Sequence, residues 1–510
     1  RPRKSSMINR IIVLGAGSAG FLAGITLTRK LPGVKVVIIR SKDIGIIGVG
    51  EGTTVSVPNY IHGFLGVDPA EFHQVAKPTF KLGIRFLWGP HPYFNYTFSP
   101  QFDMQYKALS KPTGFYCRSD EDCRHAALNS ALMSHDKAFI RLPDGAPGIR
   151  NDFAYHIENA DFVACLEKYA ARAGAEVVDD TVEGVEQDER GVVALRCRDT
   201  GRQQADLYVD CSGFVSYLLG KTLGEPFTSF RSSLFCDRAV VGGWARGADE
   251  PIKPYTTAET MDAGWCWQIE HEHRINRGYV YGSAFISDGD AEAEFRRKNP
   301  KVEATRIVKF ISGCYERTWV KNVVAVGNAS GFVEPLESTS LAVICDECYS
   351  LALSILDADR NPGPAMAAAF NKATALTWRS IRQFLAVHYK FNTRLDTPFW
   401  HAARADTDLA GAEEFVEYYR ENGPSAIWKG TLIRGRDVFG YEGWLAMMVG
   451  QAVPYRREFG PSDAERQTWQ AIQMHNREQA QAGLTVRETL DVIRSPRWRA
   501  RADFFRYPYN

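Results

Sequence analysis

Residues 8–20 read Ile-Asn-Arg-Ile-Ile-Val-Leu-Gly-Ala-Gly-Ser-Ala-Gly, an apolar run that enters a glycine turn. Such a run, Ile8 to Leu14, predicts a parallel strand buried on both faces. Gly15, Gly17 and Gly20 follow at G-x-G-x-x-G spacing: the first permits a tight turn, the second lets a pyrophosphate approach the backbone, and the third lets a helix pack on the strand. Phe21 to Lys30 reads as that helix, its amino end facing the phosphates, and Val34 to Ile39 as the next strand. Together they make a dinucleotide-binding unit, with Gly15, Gly17, Ser18, Ala19 and Gly20 as candidate contacts. The pattern departs at the end of the second strand, where Arg40 replaces the acidic residue that usually bonds the adenosine ribose. Either Arg40 contacts the ribose or a phosphate, or a neighbour such as Ser41 takes that role. A second glycine loop, Gly48-Val49-Gly50-Glu51-Gly52-Thr53-Thr54, could wrap a cofactor with its N–H groups or simply lie on the surface.

Working outward, the same signature recurs twice. An amphipathic helix at 161–173 leads to a strand at Ala175 to Val178, then to a strand-turn-strand stretch that ends in Asp210-Cys211-Ser212-Gly213. A third strand, Val323 to Val326, enters Gly327-Asn328-Ala329-Ser330-Gly331, with a helix expected from about Glu337. Three such units far apart in sequence imply one α/β nucleotide domain over 7–365, built from segments near 8–60, 155–220 and 315–360. It is interrupted by α+β insertions, strand-rich and aromatic, at about 82–150 and 225–312. Residues 366–510 read as helical and form a cap. With no internal repeat and no low-complexity linker, the units are expected to pack as one body.

Lys+Arg number 61 against 60 Asp+Glu, with no long run of either sign, so no field attracts nucleic acid or an anionic membrane. The longest uncharged stretch, Ile11 to Thr28, is broken by glycines and suits a strand-to-helix turn better than a bilayer span. No signal-peptide order opens the chain, and the expected location is the cytoplasm. Among ten cysteines the only C-x-x-C, Cys345 to Cys348, has no second pair and sits in a helix-like stretch, which argues against a zinc site. His271 and His273 flank Glu272 and read as a solvated patch.

The stretches Gly-Val-Gly-Glu-Gly-Thr at Gly48, Phe-Lys-Leu-Gly-Ile-Arg-Phe at Phe80, Asp-Cys-Ser-Gly at Asp210, Trp-Cys-Trp-Gln-Ile at Trp265 and Gly-Phe-Val-Glu-Pro-Leu-Glu-Ser-Thr at Gly331, taken with the glycine fingerprint, resemble the tryptophan-halogenase branch of the flavin-dependent halogenases. The resemblance runs to about residue 355. It implies a flavin-monooxygenase-like fold with a helical cap, FAD as FADH₂, O₂ and a halide ion (bromide or chloride), and a separate NAD(P)H-dependent flavin reductase. It also implies a tunnel from flavin to a small aromatic substrate; a homodimer is left open. The FAD contacts it implies are Gly48, Gly50, Glu51 and Thr53 in the second loop, Val182 and Asp210 in the middle segment, and Gly327, Leu336 and Leu341 in the last.

Lys81 alternates with Phe80, Leu82, Ile84, Phe86 and Trp88 on one predicted strand, and a strand lysine is ordinarily solvated because an ammonium is costly to bury alone. The resemblance reverses that expectation: the matching lysine lies at the far end of the tunnel and hydrogen-bonds hypohalous acid or becomes an N-haloamine. Glu337 would orient the halogenating species and take the ring proton; otherwise it merely favours a helix dipole. Thr339 and Ser340 would hold halide with their N–H groups, although Ser340 stands where relatives carry glycine. Trp265, Trp267, Ile269 and Ser338 would line the tunnel, with Glu270 in place of the usual proline, and Phe94, Tyr96, Phe98 and Trp444 would contact substrate.

The expected reaction is oxidation of halide through a flavin C4a-hydroperoxide to hypohalous acid, followed by electrophilic halogenation of an electron-rich ring. The alternatives are a flavin-dependent aromatic monooxygenase and a non-catalytic flavoprotein. Tryptophan-specific members carry a tandem tyrosine and a nearby glutamate in the cap. Here residues 438–449 are apolar and small-residue-rich, and the tandem Tyr418-Tyr419 lies in a charged stretch read as helix surface. Indole or a simple substituted indole or phenol is therefore expected in preference to free tryptophan.

Overall fold

The computed structural model describes residues 7–43, 45, 50–433 and 438–499. The opening stretch folds as strand Arg10–Leu14, helix Ser18–Lys30 and strand Lys35–Arg40, with Ile11, Ile12 and Val13 fully buried. The helix begins three residues before Phe21, because Gly17 supplies the extended backbone that caps it. A Cβ on Gly20 would lie 1.9 Å from the Gly15 carbonyl oxygen, so the third glycine is what lets the helix sit this close to its strand.

These elements lie within a six-stranded sheet of spatial order Trp319–Val320, Val323–Ala325, Leu207–Asp210, Arg10–Leu14, Lys35–Arg40, Glu176–Asp179. All neighbours are parallel except at the Trp319–Val320 edge. The three glycine turns thus leave the carboxyl ends of three adjacent parallel strands, the position at which open α/β sheets bind ligands.

The two insertions build a single seven-stranded sheet. Thr305–Lys309, Arg238–Ala245, Arg274–Tyr281, Gly264–Glu270 and Thr256–Met261 come from the second, and Gly83–Leu87 and Phe94–Thr97 from the first. Past Phe94–Thr97 the first insertion is not strand-rich as expected: short helical turns at Thr113–Tyr116, Asp120–Arg124 and Leu128–Ser134 fill it, and Phe102, Phe115 and Tyr116 go into the core.

The lysine strand also differs from its reading. It breaks at Leu82, whose N–H leaves both ladders and donates to the Pro254 carbonyl. Thr79–Lys81 pairs with Ala154–Ile157, which also pairs with Glu51–Gly52, whereas Gly83–Leu87 enters the large sheet. Lys81 therefore sits where two sheets meet.

The helical region includes Pro364–Phe391, Glu413–Asn422, Gly440–Gly450 and Asp463–Gln481. Its core is shared with both sheets: Phe384, Trp400 and Trp444 belong to the same buried cluster as Phe86, Trp88 and Trp265, whereas Phe370, Ala480, Val486, Leu490 and Ile493 join the cluster of Ile11, Val13 and Phe21. Tyr419 was expected on the surface and is buried. Phe415, Val416 and Tyr419 form the inward stripe of their helix, while Glu413, Glu414, Glu417 and Glu421 face solvent. Among the described residues no helix is long and apolar enough to cross a membrane.

Candidate functional site

The glycine turns make a cradle that fits FAD. Gly15 takes φ +109° with its backbone against the Cys211 carbonyl, while a Cβ on Gly17 would meet nothing within 4 Å. The space above Gly17 adjoins the open amino end of helix Ser18–Lys30, which carries no side-chain cap, so its first N–H groups suit a pyrophosphate. Ser18 and Ala19 lie in its first turn. Arg40 is held between Asp179 and Glu167 at 2.6 and 2.8 Å, and Ser41 Oγ pairs with Thr181 Oγ1.

Asp210 is committed to its own chain, accepting from Ser212, Leu218 and Leu219 N–H groups, and so shapes the loop rather than presenting a free carboxylate. Glu51 accepts from Asn159 Nδ2, and Gly50 packs against His271. Val182 opens the strand Val182–Asp188, Gly327 N–H donates to Glu347, and Leu336 and Leu341 are buried. Gly48 falls outside the described residues.

Lys81 is fully buried, and its ammonium donates to the Thr53 carbonyl at 2.9 Å and to Ser338 Oγ at 2.8 Å. Burial pushes its pKa down to about 7, against a smaller upward pull from the Glu337 charge. The amine is therefore divided between charged and neutral forms near neutrality, able both to donate a hydrogen bond and to act as a nucleophile. The site exists because Gly52 has no side chain: a Cβ there would lie 2.8 Å from Ser338 Oγ and 3.0 Å from Lys81 Nζ.

Glu337 ends a short 3₁₀ turn, Pro335–Glu337, and Ser338 at φ +56° separates it from the long helix, which begins at Ser340. The expected helix start near Glu337 is corrected by three residues. Pro335 can open a turn, but the left-handed Ser338 prevents that turn from running on into the helix. Glu337 is thus outside the helix's first turn and is not a dipole partner. Burial pushes its carboxyl up, and its Oε1 lies 2.6 Å from His388 Nε2. Sequence reading missed His388, which is 51 positions away on helix Pro364–Phe391 with nothing around it to mark it.

Thr339 caps the helix that Ser340 opens. No side chain caps this amino end, and a small cavity against it is lined by Thr339, Ser340, Gly327, Asn328 and Trp378. That arrangement suits a single anion.

Trp265 and Trp267 share one face of strand Gly264–Glu270, their rings 6.1 Å apart, with Ile269 buried beside them. Trp265 Nε1 donates to Glu334 Oε1 at 3.1 Å, as does the Tyr389 hydroxyl, and burial pushes the Glu334 carboxyl up to about 7. Glu334 is a second residue missed in sequence, though it stands in the same Glu-Pro-Leu-Glu stretch. Glu270 replaces proline without leaving a bare charge, because Arg246, equally buried, pairs with it. His271, expected in a solvated patch, is buried, and desolvation pushes it down to about 3; only His273 is exposed.

On the substrate side, Phe98 lies 5.6 Å from Lys81 Nζ. Phe94 stacks on Phe86, Tyr96 lies edge-on to Phe384, and Trp444 packs on Phe384. Phe86 and Phe384 both pack on the His388 ring, so aromatic side chains cover the imidazole that Glu337 meets.

A family model described as tryptophan halogenase matches residues 10–462. The chain is 32% identical over 447 residues to tryptophan 7-halogenase KtzQ of Kutzneria sp. (strain 744), covering 82% of each chain, and 29% identical to tryptophan 7-halogenase RebH of Lentzea aerocolonigenes, again over 82% of each. Among solved structures it superposes on MibH, described as a lanthipeptide tryptophan 5-halogenase, with TM-score 0.88, 39% identity and coverage of 98% and 96%. It also matches BrvH, a flavin-dependent halogenase from Brevundimonas sp. BAL3, with TM-score 0.84, 27% identity and coverage of 95% and 99%.

Proposed function

This chain belongs to the tryptophan halogenase family, and on that premise we propose that it uses FADH₂, O₂ and halide to halogenate an indole-type ring that is not presented as free tryptophan. The observation that carries the chemistry is Lys81: a fully buried amine, pushed down to about 7, between Ser338 and the Thr53 carbonyl and within reach of the Glu337 charge.

The glycine turns at Gly15–Gly20, Asp210–Gly213 and Gly327–Gly331 would hold reduced FAD, which with O₂ and halide would supply the oxidising power for hypohalous acid. The chain's own residues do the rest. The amino end at Thr339 and Ser340 holds halide. Trp265, pinned through Glu334, and Trp267 against its ring form a wall that keeps the substrate from the oxidant's source. Lys81 hydrogen-bonds hypohalous acid and aims its halogen at the ring, and Glu337 takes the proton the ring then loses. The FADH₂ comes from a separate NAD(P)H-dependent reductase.

The substrate proposal rests on residues 438–449, whose only charged side chain, Glu442, is spent on the N–H groups of Phe102 and Asp103 at 2.9–3.0 Å. Burial pushes its carboxyl well up, which unfits it further as an ammonium partner. A zwitterion would leave charges unpaired there at a cost of about 1–3 kcal/mol or more. A second reading, that the ring is carried on a peptide, is favoured by the 39% identity to MibH. A three-way competition among indole, free tryptophan and tryptophan within an end-blocked peptide tests both, with free tryptophan expected to be converted slowest. If free tryptophan were fastest, the account of the cap would be overturned.

A further inference from the structure

We infer that His388 is the positioning residue of Glu337, holding one proton jointly with its Oε1 so that Oε2 takes the proton from the halogenated ring; this rests on the halogenase reading above. His388 Nδ1 lies 2.7 Å from the Phe384 carbonyl oxygen, which can only accept, so Nδ1 carries a hydrogen. On the other side, Nε2 and Glu337 Oε1 are 2.6 Å apart with both side chains buried. Two lone pairs do not face each other at that distance, so a proton lies between them, on nitrogen or on oxygen. The pair thus carries one proton and no net charge in either form.

The surroundings isolate it. Phe86 and Trp88 from one side and Phe384 from its own helix cover the imidazole. The ionisable groups nearest the pair are Lys81, which acts on the Glu337 charge, and Glu334 with Tyr389, one residue along the helix from His388. When the ring carbon attacks hypohalous acid, the carbon–halogen bond forms, the halogen–oxygen bond breaks, and the departing hydroxide takes a proton from the Lys81 ammonium and leaves as water. The ring C–H bond then breaks, its electron pair returns to the ring, and its proton passes to Glu337 Oε2. Glu337 can accept only as a carboxylate, and it is one only while the shared proton rests on His388 Nε2. Without that partner a carboxyl this buried keeps its own proton.

The experiment compares His388→Phe and His388→Gln in FAD-loaded protein supplied with reductant, O₂ and bromide, using indole deuterated at the reacting carbon. Hypohalous acid formation, followed with a scavenger, should stay at the wild-type rate in both variants. In His388→Phe, ring halogenation should fall by roughly 10²-fold, an isotope effect absent from wild type should emerge, and the acid limb of kcat should move to higher pH. His388→Gln restores a donor to Oε1 but cannot exchange a proton, so KM should recover while kcat and the isotope effect do not. Wild-type kcat, pH limb and isotope effect in the Gln variant would overturn the inference, even if the Phe variant failed to fold. In flavin-free protein, the bridging proton should give a low-field NMR resonance that His388→Gln removes, and its absence from wild type would also overturn the inference. Failure of wild type to make hypohalous acid at all would instead remove the halogenase reading.

Discussion

Burial pushes the Lys81 amine down to about 7, so the folded chain releases a proton that the unfolded chain would keep over the range between that value and the ordinary lysine value. Stability therefore rises with pH across this window, and the penalty is complete below it. Lys81→Met removes the penalty. Denaturant midpoints should show the variant more stable than wild type at neutral pH by several kcal/mol, about 1.4 per unit of displacement, with the difference shrinking toward zero as the pH approaches 10. A constant difference across pH would show that the lysine is not desolvated. Glu337 is judged by rate instead: Glu337→Gln keeps the shape and loses the base, so halogenation should slow by roughly 10²–10⁴-fold with an unchanged thermal midpoint. These two residues were legible in sequence by resemblance. Thr53 and Ser338 were named there as an FAD contact and a tunnel residue but not as partners of Lys81, and His388 was missed, because only the fold brings these elements together.

At the scale of elements, the glycine fingerprint and its flanking strand and helix were legible because local spacing alone dictates them. The break at Leu82 was not, because alternation continues through it: Phe80 and Ile84 are both buried, but against different sheets. The helix start was misplaced because Ser338 adopts a left-handed conformation that its residue type does not announce. Tyr419 was misread because charge counted along a segment hides a narrow inward stripe. The short strand Glu51–Gly52 makes its own prediction. Gly52→Ala places a methyl against Ser338 Oγ and Lys81 Nζ, so the lysine must shift. Halogenation should drop at least tenfold, as a small misplacement of a catalytic group does, while FAD still binds by fluorescence titration. Wild-type turnover would show that the crowding at Gly52 is relieved elsewhere.

Across the whole molecule, two sheets divide the labour. The parallel sheet gathers three glycine turns for the cofactor, while the seven-stranded sheet and the helices share one aromatic core around Glu337 and His388. Lys81 ends a strand of a third, three-stranded sheet whose chain runs on into the seven-stranded one, and Trp265 and Trp267 lie in the aromatic core. Making the oxidant and using it are then separable steps, and Lys81→Ala separates them. With FADH₂, O₂, bromide, an indole and a scavenger of hypohalous acid, the variant should oxidise FADH₂ and consume bromide at the wild-type rate, deliver the oxidant to the scavenger, and leave the indole unbrominated by mass spectrometry. Wild-type bromination of the indole by Lys81→Ala would contradict the account at its centre.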